Sequence, residues 1–400
     1  MTGGTNNIPA ITSVDLLVAD VMIPYQKDGK LEHYVESVLE AKPGEKLQID
    51  KKQFEEISEL LEGRNQRAYR GGTSSITLET LGRLSQGDKP HTIIGVTGSD
   101  PYSNIIKGSF RKSVEGSRDK SPQKSVIDIH RVGEQSSPET AISFILQYPD
   151  KPPTMLTYPG NAEKLLTAET LPWDIINTSK TFYLQGSMRN RFKKEVMDTL
   201  LEHRFNTGKT LILAYPNTGF ETQKDIEYYD WVTESADVLL SNTDHLLKIF
   251  PTENKDASLK KFQAKMREKT NLNLAAMGHS GQTAFITDGA NGAYVVTADA
   301  IEHVPSEYIG KRNPNMLGEE DTAYAGFLAG HFSQLKPEQS ARIAMHLAAA
   351  KLEEERPSLQ DPRAVLERSA ATRELLPRLN NRFSGVGYGK APEASEYHIG

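Results

Sequence analysis

Apolar and polar positions along the 400-residue chain follow two different rhythms. In the first third, Val14-Asp15-Leu16-Leu17-Val18-Ala19-Asp20-Val21 reads as one buried strand. Phe54, Ile57, Leu60 and Leu61 fall at helical spacing within Gln53 to Leu61. Arg70-Gly71-Gly72-Thr73-Ser74-Ser75 is a glycine turn that opens a helix through Ile76, Leu78, Leu81 and Leu84. Thr92 to Gly98 reads as a strand, and Thr140 to Leu146 with Thr154 to Tyr158 as a strand pair. Lys112 to Lys124, charged and rich in turn formers, reads as a surface loop.

From Thr181 onward strands alternate with helices. Strands are expected at 181–184, 210–214, 238–240, 284–287 and 293–296. Helices are expected at 193–203, 245–250, 259–269, 322–335 and 337–355. Such alternation predicts a parallel sheet with helices on both faces, and the strand-rich first third predicts extra strands outside it. No internal repeat is evident. The first dozen residues and the Gly-, Ser- and Pro-rich tail from Phe383 are expected to be disordered.

Composition narrows the chemistry. With 47 basic and 53 acidic residues the net charge is −6, which does not suggest a nucleic-acid binder. The absence of cysteine excludes disulfides, thiolate nucleophiles and Cys-zinc sites. No signal peptide and no membrane-length apolar run are visible, so the cytoplasm is the expected compartment. The ten histidines show no metal-binding spacing, and no metal ligand is assigned.

Two motifs carry candidate chemistry, and two others do not. Gly318-Glu319-Glu320-Asp321-Thr322 stands at the mouth of an apolar helical run. The unpaired first-turn amides of such a helix favour an anion, and Asp321 is a candidate base beside it. An acidic N-terminal turn alone reads more simply as helix capping. Thr287-Asp288-Gly289-Ala290-Asn291-Gly292 joins two strands, either as a hairpin turn or as a cradle for nucleotide phosphates. Gly208-Lys209-Thr210 is no P-loop: the glycine needed five residues earlier is His203, and Gly208 follows a helix, as a C-cap does. Gly278-His279-Ser280-Gly281 reads as a loop without catalytic meaning.

In this order the pieces resemble the PfkB family of carbohydrate and nucleoside kinases, most closely its adenosine-kinase-type branch. The likeness runs from about Val14 to Pro357. Asp20 looks like the strand aspartate that grips sugar hydroxyls, and Gly71-Gly72 like the turn that closes against the sugar. Pro138-Glu139-Thr140-Ala141 and Thr157 to Ala162 resemble lid and core strands. Ala214-Tyr215-Pro216-Asn217 resembles an Asp-Pro-Asn turn, and Asn242-Thr243-Asp244-His245 an Asn-x-x-Glu element. Thr287, Gly289 and Gly292 resemble the Thr-x-Gly-x-x-Gly nucleotide loop; Gly318 to Asp321, including Glu320, resemble the Gly-Ala-Gly-Asp signature with Asp321 as base.

The resemblance implies an α/β ribokinase-like fold: a mostly parallel central sheet flanked by helices, with a small β-rich lid. It implies a kinase domain over 13–360, lid strands roughly within 14–70 and 125–150, and a C-terminal extension over 361–400. It implies ATP and Mg2+, a nucleoside or sugar as partner, and no nucleic acid or membrane; oligomeric state stays open. Phosphoryl transfer depends mainly on positioning and charge stabilisation, which suits such a template.

Four positions depart from that pattern: Glu320 for the second glycine, Ile76 for an asparagine, His245 for the glutamate and Tyr215 for an aspartate. The Gly-Asn pair near the opening strand falls at Asp15 and Leu16. Two unit charges about 4 Å apart at an effective dielectric of about 20 interact by roughly 4 kcal/mol, so Glu320 opposes phosphate binding unless it turns outward or holds a metal. Asp244 is the nearest substitute for the missing glutamate. Two readings therefore stand: a working kinase with an altered substrate site, or a pseudokinase that binds a nucleoside or a protein.

Overall fold

The computed structural model describes residues 11–15, 17–27, 29–85, 91–115, 139–185, 194–215, 222–272, 281–308, 317–354, 359 and 361–380. Residues 1–10 and 383–400 of the ends expected to be disordered, the Pro216-Asn217 turn, Gly278 to Ser280, Pro138 and residues 116–124 of the expected charged loop lie outside the described residues. Ile11 and Thr12, also expected to be disordered, are ordered because they pair in the first strand of the large sheet.

Thirteen strands among the described residues form two sheets. The large sheet contains β1 (Ile11–Val14), β5 (Thr92–Ile94), β8 (Thr181–Gln185), β9 (Thr210–Ala214), β10 (Val238–Asn242), β11 (Thr283–Thr287), β12 (Ala293–Thr297) and β13 (Ile301–Val304). Its order is β13-β12-β11-β10-β9-β8-β1-β5. The pairings from β5 to β11 are parallel, and β12 and β13 close one edge antiparallel. Strand order reverses direction between β8 and β1, and open α/β sheets bind ligands beyond the carboxyl ends of strands at such a point.

The parallel strands are mostly apolar because both faces are covered. Tyr183, Ile212, Leu240 and Phe285 pack on one face; Phe182, Leu184, Leu211, Leu213, Leu239 and Ile286 pack on the other. The first face carries α2 (Thr73–Leu84), α8 (Glu319–Phe332) and α9 (Pro337–Lys351). The second carries α4 (Lys194–Thr207), α5 (Gln223–Ser235), α6 (Thr243–Ile249) and α7 (Lys255–Leu272). Gly208, at φ 63°, ends α4 as a left-handed C-cap.

The small sheet is the lid, in the order β3-β7-β6-β2-β4. Its strands are β2 (Val18–Pro24), β3 (Lys46–Gln48), β4 (Arg67–Arg70), β6 (Ala141–Gln147) and β7 (Thr154–Tyr158). The helices α1 (Lys51–Leu60) and α3 (Pro101–Glu115) accompany it. The chain thus carries the ribokinase-like fold that the sequence suggests.

Four local expectations need correction. The strand expected over Thr92 to Gly98 ends at Ile94, where its pairing with β1 stops. Val14 to Val21 is not one strand: β1 ends at Val14 in the large sheet and β2 begins at Val18 in the lid. The continuous apolar run hides the crossing, because both strands are buried. Lys112 belongs to α3, which extends to Glu115, so the charged segment begins helical. The helix expected from Thr322 starts three residues earlier, at Glu319, with Gly318 as its N-cap.

Candidate active site

The candidate residues converge where the lid meets the carboxyl ends of the core strands. Asp15 follows β1 directly. Its Oδ2 accepts from the Ser74 amide at 3.2 Å and from the Ser74 hydroxyl, which ties the core-to-lid crossing to the first turn of α2. Asp20 lies buried on β2, opposite Tyr69 of β4 and Ser143 of β6. The β4 strand runs into Gly71, whose amide donates to the Val18 carbonyl at 2.8 Å. Gly72, at φ 93°, then turns the chain into α2.

Asp321 sits in the first turn of α8, half-buried. The Thr73 hydroxyl bonds its carboxylate, and Thr77 Oγ1 donates to its backbone carbonyl at 3.2 Å. These two threonines are four apart on α2 and share a face. Burial pushes the Asp321 carboxyl well above the usual carboxylate range; Glu320 adds to this, and Asp15 and Asp20 add a little more. The catalytic candidate and the sugar-gripping candidate thus share one electrostatic environment.

Glu320 does not turn outward. Its Oε1 accepts from Asn242 Nδ2 at 3.1 Å, from Thr287 Oγ1 at 3.1 Å and from the Tyr324 hydroxyl at 2.8 Å. Asn242 ends β10 and Thr287 ends β11, so two neighbouring strand ends aim donors at one carboxylate oxygen. Asn242 Oδ1 also caps α6 by accepting from the His245 amide at 3.0 Å. Tyr324, one turn along α8, is buried edge-on against Phe285.

His245 is buried, and burial lowers its pKa to about 4, so it is a neutral imidazole in place of a carboxylate. Asp244, the substitute that the sequence offers, is exposed. Ile76 is buried in the position that resembled an asparagine.

The Thr287 to Gly292 segment is a hairpin between antiparallel β11 and β12, with a 3₁₀ turn at Gly289–Asn291. Gly289 takes φ 54° and faces open space. Gly292 takes φ 106°, and a Cβ there would lie 2.1 Å from the Val304 carbonyl oxygen. Asp288 anchors the hairpin: its Oδ1 accepts from Thr243 at 2.8 Å and its Oδ2 pairs with Lys255 at 2.5 Å.

Lys46 escapes sequence reasoning. It lies on β3, a strand too short to show any period. The residue is exposed by area, and what ties it to the site is electrostatic. Burial lowers its pKa, against the opposing pull of Glu320 and Asp321. Lys46 is thus a cation of the small sheet that feels the acidic head of α8.

Among the described residues no group of three His, Cys, Asp or Glu side chains is arranged to hold a metal. None of their helices is long and apolar enough to cross a membrane.

The pfkB family carbohydrate kinase profile matches residues 44–363 of the chain. The chain belongs to the PfkB family. The family is one of phosphotransferases, which accords with the α8 head and lid arrangement. Among solved structures the chain is similar to adenosine kinase from Sinorhizobium meliloti, with a TM-score of 0.72 and 17% identity, covering 90% of this chain and 99% of that one. It is similar to adenosine kinase from Schistosoma mansoni in complex with 2-fluoroadenosine, with a TM-score of 0.70, 16% identity and coverage of 88% and 98%. A probable sugar kinase from Rhizobium etli CFN 42 gives 0.68, 16%, 92% and 99%. At these identities the likeness is one of fold. No curated protein matches the sequence.

Proposed function

We propose that this PfkB-family protein transfers the γ-phosphate of ATP to a hydroxymethyl group of a nucleoside, adenosine-like, or of a sugar, in the cytoplasm. The observation that supports this most strongly is the electrostatic coupling of Asp321 and Asp20. One carboxylate stands at a helix head, raised in pKa first by burial, and the other lies buried on β2 near enough to add to that rise. A raised pKa makes the ionised form of such a base a stronger proton acceptor.

In this reading Asp321 takes the hydroxyl proton as that oxygen bonds to the γ-phosphorus. The bond between the γ-phosphorus and its bridging oxygen breaks, and ADP leaves. Asp20 accepts hydrogen bonds from sugar hydroxyls, with Gly71 and Gly72 bringing the backbone close. Asn242, Thr287, the first-turn amides of α8 beside Gly318, and the Gly289 and Gly292 hairpin suit phosphate oxygens by donor type. Glu320 holds two of those donors, so the set fits a phosphate only when that carboxylate withdraws. Magnesium would neutralise phosphate charge; it binds through few carboxylates and mostly through phosphates and water. Glu320 is the carboxylate nearest those donors.

A second reading, a catalytically impaired pseudokinase that binds a nucleoside or a protein, is favoured by Glu320 and by the neutral His245. ADP release in the presence of Mg2+ and ATP, against a panel of nucleosides and sugars, separates the two. Acceptor-dependent release abolished by Asp321→Asn supports the kinase. No release from any acceptor, with a nucleoside still raising the melting temperature, supports the impaired protein.

A further inference from the structure

Three donors from three elements meet on one point at the head of α8. Asn242 Nδ2 and the Thr287 hydroxyl reach it from adjacent strand ends, and the Tyr324 hydroxyl rises from within the helix. A helix N-terminus with side-chain donors aimed at it is a setting for an anion. The anion found there is the chain's own Glu320. Lys46 adds a positive charge from the lid side. The carboxylate is therefore an integral part of the site, fastened by neutral donors that cost nothing in like-charge repulsion.

We propose that Glu320 is a tethered stand-in for a phosphate group: it fills the donor cluster formed by Asn242, Thr287 and Tyr324, and a phosphorylated ligand is seated only by displacing it. Glu320 thereby determines specificity, admitting a neutral nucleoside or sugar ahead of a nucleotide. Tyr324 acts as a positioning residue, because its hydroxyl holds the carboxylate inward and lies one turn deeper in the same helix. The identity of the displacing ligand as ATP rests on the phosphotransferase reading; the occupancy of the cluster by an internal anion does not.

The test uses the full-length protein and two probes. With inorganic tripolyphosphate, the melting temperature of Glu320→Ala rises clearly, because the vacated donors accept an external anion; the parent protein shows little or no rise. By calorimetry, ATP binds Glu320→Ala and Glu320→Gln at least about tenfold more tightly than the parent. Tyr324→Phe, which keeps the fold-critical ring and the charge but releases one tether, gains in the same direction to a smaller degree. Equal stabilisation of parent and Glu320→Ala by tripolyphosphate, with unchanged ATP affinity, overturns the proposal. Failure of the phosphotransferase reading looks different: the tripolyphosphate response persists, while ATP and adenosine bind neither parent nor variants.

Discussion

A Cβ placed on Gly71 would fall 2.2 Å from Asp20 Oδ2 and 2.3 Å from its Cγ. The antiparallel register of β4 on β2 sets this closeness, with Arg70 opposite Ala19. The Gly71 amide, fixed to the Val18 carbonyl, cannot back away. The glycine therefore makes room for a carboxylate that the substrate reading needs in place.

Gly71→Ala is expected to displace Asp20 or strain β4, at about 1–3 kcal/mol of stability. The displaced carboxylate should weaken nucleoside binding by about tenfold or more. Gly108→Ala is the control: that glycine lies in α3 with nothing within 4 Å of a new Cβ, so the change should be neutral or mildly stabilising. Urea denaturation and nucleoside titration read both. Equal behaviour of the two variants would mean that the contact with Asp20 carries no weight.

Asp321→Asn should lower acceptor-dependent turnover by about 10²–10⁴-fold while leaving nucleoside affinity near that of the parent. The pH dependence follows from the direction of its pKa. A raised pKa keeps the base protonated and idle further up the scale, so turnover should rise with pH through a midpoint above the usual aspartate value. Glu320 is the second contributor to that rise after burial. Glu320→Gln should therefore move the acid limb of the rate profile to lower pH. An acid limb that stays in place would detach it from Asp321.

Much of the fold was legible because strands buried on both faces are written as apolar runs between turn residues. Thr181, Thr210, Val238 and Thr283 each open such a run. The crossing from β1 to β2 was not legible. Val14 and Val18 are both buried, in different sheets, and hydrophobicity does not distinguish one burial from another. Asp15, between them, was the available signal: a buried carboxylate interrupting an apolar run.

The site was legible in its list and not in its contacts. Asp20, Gly71, Glu320 and Asp321 could be named from order and motif. The inward turn of Glu320 needed the helix to begin at Glu319, which places Tyr324 four residues on and over the same face. Thr73 and Thr77 carry the same spacing on α2. Lys46 offered nothing, since three residues of edge strand define no pattern.

Lys46→Met keeps most of the side-chain length and removes the charge. If the ammonium serves an incoming phosphate, ATP affinity should fall by about tenfold. The effect should depend on Glu320, because both charges act on the same spot. A double-mutant cycle with Glu320→Gln, read by calorimetry, should give a coupling energy of about 0.5 kcal/mol or more. Additive effects would place Lys46 outside the phosphate site.

Glu319 offers a test of the α8 head by stability alone. Burial, followed by the neighbouring Glu320, raises its pKa from 4.5 to about 7, with Lys351 pulling the other way. Lys351 is itself buried on α9, its pKa lowered to about 8 by desolvation. Below pH 4.5 the folded and unfolded chains both keep the Glu319 proton, and its contribution to stability is fully present. As pH rises toward 7, the unfolded chain gives up that proton first, so stability falls. Above the folded pKa the loss is complete, on the order of 3 kcal/mol before sharing with its charged neighbours. Glu319→Gln has no proton to lose. The stability difference between variant and parent should be near zero at pH 4 and grow in the variant's favour to about 1–3 kcal/mol by pH 7.5. Urea denaturation of both proteins across that range reads the group together with its coupling to Glu320 and Lys351, since titrations not coupled to it cancel in the difference. A difference that is flat with pH would mean that Glu319 ionises freely and that the head of α8 is wetter than its burial implies.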